Sequence, residues 1–225
     1  MPRSVILPNF MLVLKNEQFS TNLMDGYTAC LRKLRKVFTS VEKQIVKADD
    51  ALTHSNGLIS SLLNLLEQLA ACEKVSFDTE PLAHFGDLQG RLRFKLTSAI
   101  EPVLVKIHED LNTIKEVASR FAEFRRSSFD VYNQHASKGN LSVAEAITAG
   151  PVCPSIASML EWLQQLERMY AGLCEEKTEI LEGITYNDLP QSQKELRRWK
   201  TQRNPLHLTA AMDQIRVFLA DQKDA

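Results

Sequence analysis

Residues Pro154 to Ile184, PSIASMLEWLQQLERMYAGLCEEKTEILEGI, have the pattern of one long amphipathic helix. Their apolar side chains recur in alternating steps of four and three, which is the spacing of a heptad seam. Lys177 interrupts this seam once. A stripe of this kind needs a partner helix to cover it, so the sequence predicts a helical bundle. The seam consists of Met159, Leu163, Leu166, Tyr170, Leu173, Lys177, Ile180 and Ile184.

Three residues of this stretch lie off the seam and are candidates for binding a partner: Glu161, Trp162 and Arg168. A tryptophan at the edge of a seam covers a contact between helices or contacts another protein. Tryptophan and arginine are favoured anchors at protein interfaces, which supports the second role. For Trp162, packing within the bundle is an alternative of equal weight.

Two more apolar stripes lie in the first third of the chain. One predicts a helix over residues 22–52, and a Leu-rich stripe predicts a second helix over residues 57–74. The sequence His54-Ser-Asn-Gly57 between them indicates a break or a kink, with Ser55 or Asn56 as the cap of the second helix. The stripes consist of Tyr27, Leu31, Leu34, Phe38, Val41, Ile45, Ala48 and Leu52, and of Leu58, Leu62, Leu65, Leu69 and Cys72.

The outer face of the first predicted helix is basic. Charge runs of this kind are mostly solvated faces. The alternative is an electrostatic contact with an acidic partner or with RNA. The residues are Arg32, Lys33, Arg35, Lys36, Lys43 and Lys47.

The middle of the chain predicts one very long helix, from Asp87 to about His135. Pro102 lies inside it and removes one backbone donor, so we expect it to kink the helix or to mark a boundary near residues 96–100. The apolar stripe of this helix consists of Ile100, Leu104, Ile107, Leu111, Ile114, Ala118 and Phe121.

The clearest linker lies near residues 137–154, and its capping box Ser142-Val-Ala-Glu145 predicts a short helix. Ser155 is a candidate cap for the long helix that follows. We predict that residues 24–222 form a single elongated bundle. Residues 1–23 are then a variable N-terminal extension that is poorly ordered.

The last part of the chain has two further helix starts. A second capping box, Ser192-Gln-Lys-Glu195, predicts a helix that ends near Gln202. Asn204 followed by Pro205 predicts the start of a last helix. No stretch alternates with period two, so the predicted class is all-α, an elongated antiparallel bundle of long heptad-patterned helices. The last stripe consists of Leu208, Met212, Ile215 and Leu219.

The composition is that of an ordinary globular protein, with 44% hydrophobic residues, 24% charged residues and a formal net charge of −1. This balance demands neither a nucleic-acid partner nor a membrane. The four cysteines show no CxxC spacing and fit a reducing compartment.

No motif of an active site occurs in the sequence. Glu-x-x-His, which bundles use to hold two metal ions, is absent, as are Gly-rich phosphate loops and the GxSxG elbow of hydrolases. We therefore expect no catalytic, cofactor-binding or metal-binding residues, and a protein that is not an enzyme.

A second group of candidate binding residues is Arg197, Arg198 and Trp199, followed by Lys200 and Arg203. Basic and aromatic side chains in alternation are suited to RNA, through phosphate charge and ring stacking. Packing of Trp199 into the bundle is the favoured alternative, because aromatic side chains are mostly buried for their area.

Three blocks of the chain resemble the AIRIM family of ribosome maturation factors, which work with AAA ATPases of the Afg type. They are PSIASMLEWLQQLER at 154–168, LISSLLNLLEQL at 58–69 and VYNQHA at 131–136. The block with Trp162 is the most specific of the three. The order and spacing of the blocks also fit, over residues 24–219.

The resemblance implies a non-catalytic subunit that joins two Afg-type ATPases and a further small helical subunit. It implies action in the cytoplasm, late in maturation of the large ribosomal subunit, through release of a shuttling assembly factor that returns to the nucleus. A link to unfolding of replication proteins on chromatin is also attached to that complex. We therefore expect only indirect contact with precursors of the large subunit, no direct contact with nucleic acid and no membrane.

Two other functions fit the same helices. One is a structural coiled-coil subunit of another assembly, because long four-three seams serve that purpose equally well. The other is direct RNA binding by the basic faces.

Overall fold

The computed structural model of the chain describes the backbone of residues 9–200 and 206–221, and the side chains of residues 26–200 and 209–221. Within these ranges the regular elements are all helical, which confirms the predicted all-α class. A 3₁₀ turn, Leu82–His84, connects the first two helices. The α-helices are α1 (Asn9–Lys74), α2 (Leu88–Ser137), α3 (Val143–Ile147), α4 (Ile156–Glu182), α5 (Leu189–Arg198) and α6 (Leu206–Ala220).

The first helix, α1, continues without interruption through residues 54–57, so the predicted break is wrong. It also begins at Asn9 rather than near residue 22. Ser55 caps no second helix. Its buried Oγ donates to the carbonyl of Leu52 at 2.9 Å, within the same helix. A glycine inside a helix costs about 1 kcal/mol relative to alanine, and burial of the apolar stripes on both sides outweighs that cost.

The second long helix, α2, confirms the very long helix predicted for the middle of the chain, because it has 50 residues. Pro102 lies inside it, so the predicted boundary near residues 96–100 is wrong, whereas the alternative, a kink at Pro102, stays a prediction. Proline has no N–H, and therefore the carbonyl of Ser98, four residues earlier, has no donor within the helix. Both residues are exposed on the surface of α2.

Two of the predicted caps are confirmed. At α3, Oγ of Ser142 accepts from the amide of Glu145, and the Glu145 carboxylate accepts from the amide of Ser142 at 2.8 Å. At α4, Oγ of Ser155 accepts from the amide of Ser158 at 3.1 Å. Each side chain satisfies a backbone N–H that the first turn of a helix leaves without a partner.

The capping box predicted at Ser192 is wrong, because α5 begins earlier. Asp188 is its cap and accepts from the amide of Gln191 at 3.0 Å. Ser192 is buried inside the helix and binds the backbone of Thr185, donating to the carbonyl at 2.8 Å and accepting from the amide at 2.9 Å. The caps predicted at residues 204 and 205 lie outside the described residues.

The chain divides into two compact units, whose boundaries fall inside α1, α2 and α4. The predicted domain bounds, 1–23 and 24–222, stay predictions, and residues 1–8 lie outside the described residues. Unit 1 comprises Met1–Glu42, Phe121–Glu167 and Pro205–Ala225, and unit 2 comprises Lys43–Arg120 and Arg168–Asn204.

Unit 1 joins α6 to α1 through two arginines. The guanidinium of Arg35 lies 4.4 Å from the centroid of the Phe218 ring and donates to the Phe218 carbonyl at 3.2 Å. Nε of Arg216 donates to Oε1 of Glu42 at 2.8 Å. Phe218 is buried, so its contact with Arg35 combines apolar packing with a cation–π interaction.

Unit 2 has a continuous core formed by α1, α2, α4 and α5. The last turns of α1 are tied to the start of α2, since Nε2 of Gln89 donates to the Cys72 carbonyl at 3.4 Å and Arg93 lies 3.9 Å from Glu73. The core includes Ile59, Leu62, Leu66, Leu69, Ile100, Ile107, Leu111, Ile180, Leu181, Leu189, Leu196 and Trp199.

Candidate functional site

Trp199, a candidate for partner binding, is a core residue of unit 2. It lies at the C-terminal end of α5 and its side chain is 2% exposed. Its indole Nε1 donates to Oγ of Ser55, on α1, at 3.2 Å. The ring is therefore covered and cannot stack on a base of RNA, and the structure matches the packing alternative.

Lys177, which interrupts the seam of α4, is also buried, with 2% exposure. Its Nζ donates to the Trp199 carbonyl and lies 5.2 Å from the centroid of the Trp199 ring. A buried ammonium is costly unless its protons are accepted. A carbonyl at the C-terminal end of a helix and the negative face of an indole ring both favour a cation. Lys177 thus joins α4 to α5 inside the core.

Arg197 and Arg198, the remaining candidates on α5, are exposed. Nη2 of Arg197 lies 3.5 Å from Oε1 of Glu67, and Arg198 forms an ion pair with Glu195 on its own helix. Exposed pairs of this kind contribute little to stability, so both guanidinium groups remain accessible to an anionic ligand. Arg203 lies outside the described residues.

The candidates on α4 are placed at the surface. Glu161 is exposed and accepts from Nε2 of Gln165 at 3.3 Å, and Arg168 is exposed in unit 2. Trp162 is half-buried in unit 1, so part of its ring is covered and part meets solvent. The role of these three residues in binding a partner stays a prediction.

Within the described side chains, two of the six residues of the basic face predicted on α1 contact another helix. Arg35 binds Phe218, as described above, and Nζ of Lys47 lies 2.9 Å from Oε2 of Glu116. The other basic side chains of this face are exposed or half-buried, as a solvated charge run would be. Those that are exposed are Arg32, Lys36 and Lys43.

An exposed face of α2 was missed by the sequence analysis. Phe94 is 73% exposed and Val105 is 56% exposed, although both are large apolar residues. The signal was the run Arg91-Leu-Arg-Phe-Lys95, in which an aromatic side chain stands among basic ones and off the predicted stripe. We call this face the α2 outer face, and it consists of Arg91, Phe94, Lys95, Ser98, Pro102, Val105 and Lys106.

The thiols of the chain are suited to packing rather than to chemistry. All four cysteines are free, and burial raises the pKa of Cys30, Cys153 and Cys174. The thiolate is the reactive form, so a raised pKa lowers reactivity at neutral pH. Among the side chains that the structure describes, no group of three or more His, Cys, Asp or Glu is placed to hold a metal ion. None of the described helices has an apolar stretch long enough to span a membrane.

Residues 28–217 match the model of a protein family described as "Ribosome biogenesis protein C1orf109-like". The match extends over both units and over all the candidate residues discussed above.

Curated relatives carry one shared name, "AFG2-interacting ribosome maturation factor". The protein of Mus musculus is 36% identical over 167 residues, which are 74% of this chain and 76% of that protein. The protein of Homo sapiens is 35% identical over 167 residues, which are 74% of this chain and 81% of that protein. The protein of Danio rerio is 29% identical over 191 residues, 84% of this chain and 94% of that protein.

Proposed function

Since the chain belongs to the C1orf109-like family of ribosome biogenesis proteins, we propose that it is a non-catalytic adaptor of an AFG2-type AAA ATPase. It acts in this proposal in maturation of the large ribosomal subunit. The observation that carries the proposal is the similarity to relatives named for interaction with AFG2 and for ribosome maturation, which extends over most of each relative.

In this proposal the partner hydrolyses ATP, and the chain positions the partner relative to its substrate. It joins two Afg-type ATPases and a further small helical subunit, so that the ATPases act on one defined substrate. The substrate is a shuttling assembly factor bound to precursors of the large subunit, which the chain contacts only through its partners. Release takes place in the cytoplasm, and the freed factor returns to the nucleus.

The packing inside unit 2 supports a scaffold role. In unit 2, Lys177 and Trp199 connect α4, α5 and α1 through buried polar contacts. Buried polar groups that are fully satisfied favour one arrangement of the helices over others, because every alternative leaves a donor or acceptor without a partner. A rigid unit holds a bound partner in one orientation and loses little entropy on binding.

The test is a reconstitution with purified components. Precursor particles of the large subunit are incubated with the AFG2-type ATPase and ATP, with and without the full chain, and the assembly factors released are quantified by mass spectrometry. We expect release that requires both the ATPase and the chain. Equal release in the absence of the chain, or a failure of the chain to bind the ATPase, would refute the adaptor role.

A direct contact with RNA is the second candidate, and one observation favours it. Arg32, Lys36 and Lys43 are exposed on one helix at spacings of four and seven. RNA binding at physiological salt is compared between the chain, the variant Arg32→Glu/Lys36→Glu and a charge-matched helix. Affinity that exceeds that of the charge-matched helix and falls in the variant would support this candidate.

A further inference from the structure

The α2 outer face combines apolar and basic side chains in a pattern that buried helices lack. Arg91, Lys95, Ser98, Pro102 and Val105 follow one another in steps of four and three, so they share one side of α2. This is a second stripe, distinct from the buried one that contains Ile100, Ile107 and Leu111. All of its members are exposed.

Two large apolar side chains of this face are exposed. Phe94 and Val105 are three turns apart, 73% and 56% exposed, and Pro102 lies between them. Near the start of α2, Phe85 is 61% exposed, which adds a second aromatic ring to the same end of unit 2. Exposed apolar groups that occur together mark interaction sites, whereas single ones need no explanation.

The charge of the face is positive. Between residues 91 and 106 there are four basic residues and one acidic residue, Glu101. The hydroxyl of Tyr186 donates to Oε1 of Glu101 at 3.0 Å. Arg91, Lys95 and Lys106 border the apolar side chains, so the face is complementary to a surface that presents apolar groups beside carboxylates.

The backbone adds a specific feature at the centre of the face. The carbonyl of Ser98 has no donor within the helix, because Pro102 has no N–H. A donor from a docked chain, such as a Ser, Asn or Lys side chain, can satisfy it. The face thus offers an aromatic anchor, a basic border and a helix carbonyl that lacks its usual intrahelical donor, and aromatic and basic side chains are enriched at protein interfaces.

We propose that the α2 outer face is the docking surface for an acidic amphipathic helix of the AFG2-type ATPase, an inference that rests on the proposed function. A second copy of this chain fits less well, since it would bring the same basic residues into opposition. RNA fits less well too, because Phe94 is the one aromatic ring among the seven residues of this face, and a base does not stack on the aliphatic surfaces of Pro102 and Val105.

The experiment measures binding of the purified full-length chain to the ATPase by biolayer interferometry. The test variants are Phe94→Glu and Arg91→Glu/Lys95→Glu. Their matched controls are Val143→Glu, at an apolar residue of unit 1 that is 70% exposed, and Arg126→Glu/Lys138→Glu, at two exposed basic residues of unit 1. All changes are at exposed positions, and melting followed by circular dichroism confirms that each variant is folded.

Each test variant should weaken binding at least about tenfold, the loss expected when an interface anchor is removed, while both controls stay within about twofold of the wild type. A photo-crosslinking residue in place of Ser98 should attach to a helix of the ATPase that is rich in Asp and Glu. Wild-type affinity in the Phe94→Glu variant would overturn the docking surface and leave the adaptor role intact. Absence of binding by the wild-type chain would overturn both.

Two further outcomes would assign the face to another occupant and overturn the proposal. One is a dimer of the wild-type chain in light scattering that the Phe94→Glu variant abolishes. The other is RNA binding that the Arg91→Glu/Lys95→Glu variant abolishes while ATPase binding is unchanged.

Discussion

Replacement of Trp199 tests the description of unit 2 most directly. The side chain is 2% exposed, its Nε1 donates to Oγ of Ser55 at 3.2 Å, and its ring and carbonyl both contact Lys177. Trp199→Ala removes the ring and the donor together and leaves a cavity beside a buried ammonium. Removal of a buried Trp costs about 3–5 kcal/mol of the free energy of unfolding, and we expect this range.

Trp199→Phe separates the two contributions. Phenylalanine keeps most of the apolar contact and presents a ring face to Lys177, but it has no N–H. Oγ of Ser55 still donates to the Leu52 carbonyl, so Trp199→Phe loses one hydrogen bond, worth about 1 kcal/mol, together with the apolar contact of the missing part of the ring. The expected order of stability is therefore wild type, then Trp199→Phe, then Trp199→Ala.

The assay is equilibrium unfolding in urea, followed by circular dichroism at 222 nm, with Trp162→Ala as the matched control. Trp162 is half-buried, so its truncation should cost less than that of Trp199. A loss below about 1 kcal/mol for Trp199→Ala, or a loss no larger than that of Trp162→Ala, would refute the assignment of Trp199 to the core.

Three further predictions concern the helices and their caps. Gly57→Ala should raise the free energy of unfolding by about 0.5–1 kcal/mol, because α1 is continuous there and nothing lies within 4 Å of the added Cβ. A lower free energy of unfolding in urea would instead support a break in α1 at this glycine. Gly26→Ala should lower the free energy of unfolding by about 1–3 kcal/mol in the same assay, since the added Cβ would lie 2.2 Å from the carbonyl oxygen of Asn140. An unchanged midpoint of urea unfolding would contradict that close contact. The amide of Ser142 lowers the pKa of Glu145, so the capping box is intact above the unfolded pKa of about 4.3 and is lost as pH falls through the folded value. Amide chemical shifts of α3 should follow that titration in the wild type and lose it in Glu145→Gln.

The positions of the helices were predictable because burial imposes a period that the sequence displays. The predicted bounds of the very long helix and of the Trp162 helix agree with α2 and α4 to within about two residues, the usual uncertainty of helix ends. Ile100, Ile107 and Leu111 are buried as the stripe required. The break in α1 was predicted from local turn propensity alone, which tertiary packing overrides.

The sequence predicted the presence of each apolar stripe better than it predicted which residues of the stripe are buried. In α1 the predicted seam residues Leu31, Ile45 and Leu52 are only half-buried, whereas Val37 and Ala51 are buried. An unsupercoiled helix has 3.6 residues per turn, so a strict heptad seam drifts by about 20° per heptad relative to its buried face. Over a helix of 66 residues the buried face therefore departs from any single four-three series.

The last helix shows the same effect at shorter range. Met212 and Ile215 are buried as predicted, but Phe218 is buried and Leu219 is half-buried. The aromatic ring of Phe218 lies beneath Arg35, a contact across 183 positions of sequence. No local pattern contains that partner, so the sequence alone could not choose between the two residues.

Burial of the stripes also limits where a partner of the chain can bind. In the part of the chain that the structure describes, most seam residues of α2 and α4 are buried, and Lys177 itself contacts Trp199 inside the core of unit 2. An exposed apolar seam on α2 or α4 is therefore not available to bind a helix of a partner. We therefore expect recognition to depend on side chains that lie off the stripes, such as Phe94 and Trp162, which hydrophobic periodicity identifies only as exceptions. The same pattern that predicts the fold so well is for this reason a poor guide to the interface, and mutagenesis should begin with the apolar residues that the pattern leaves unexplained.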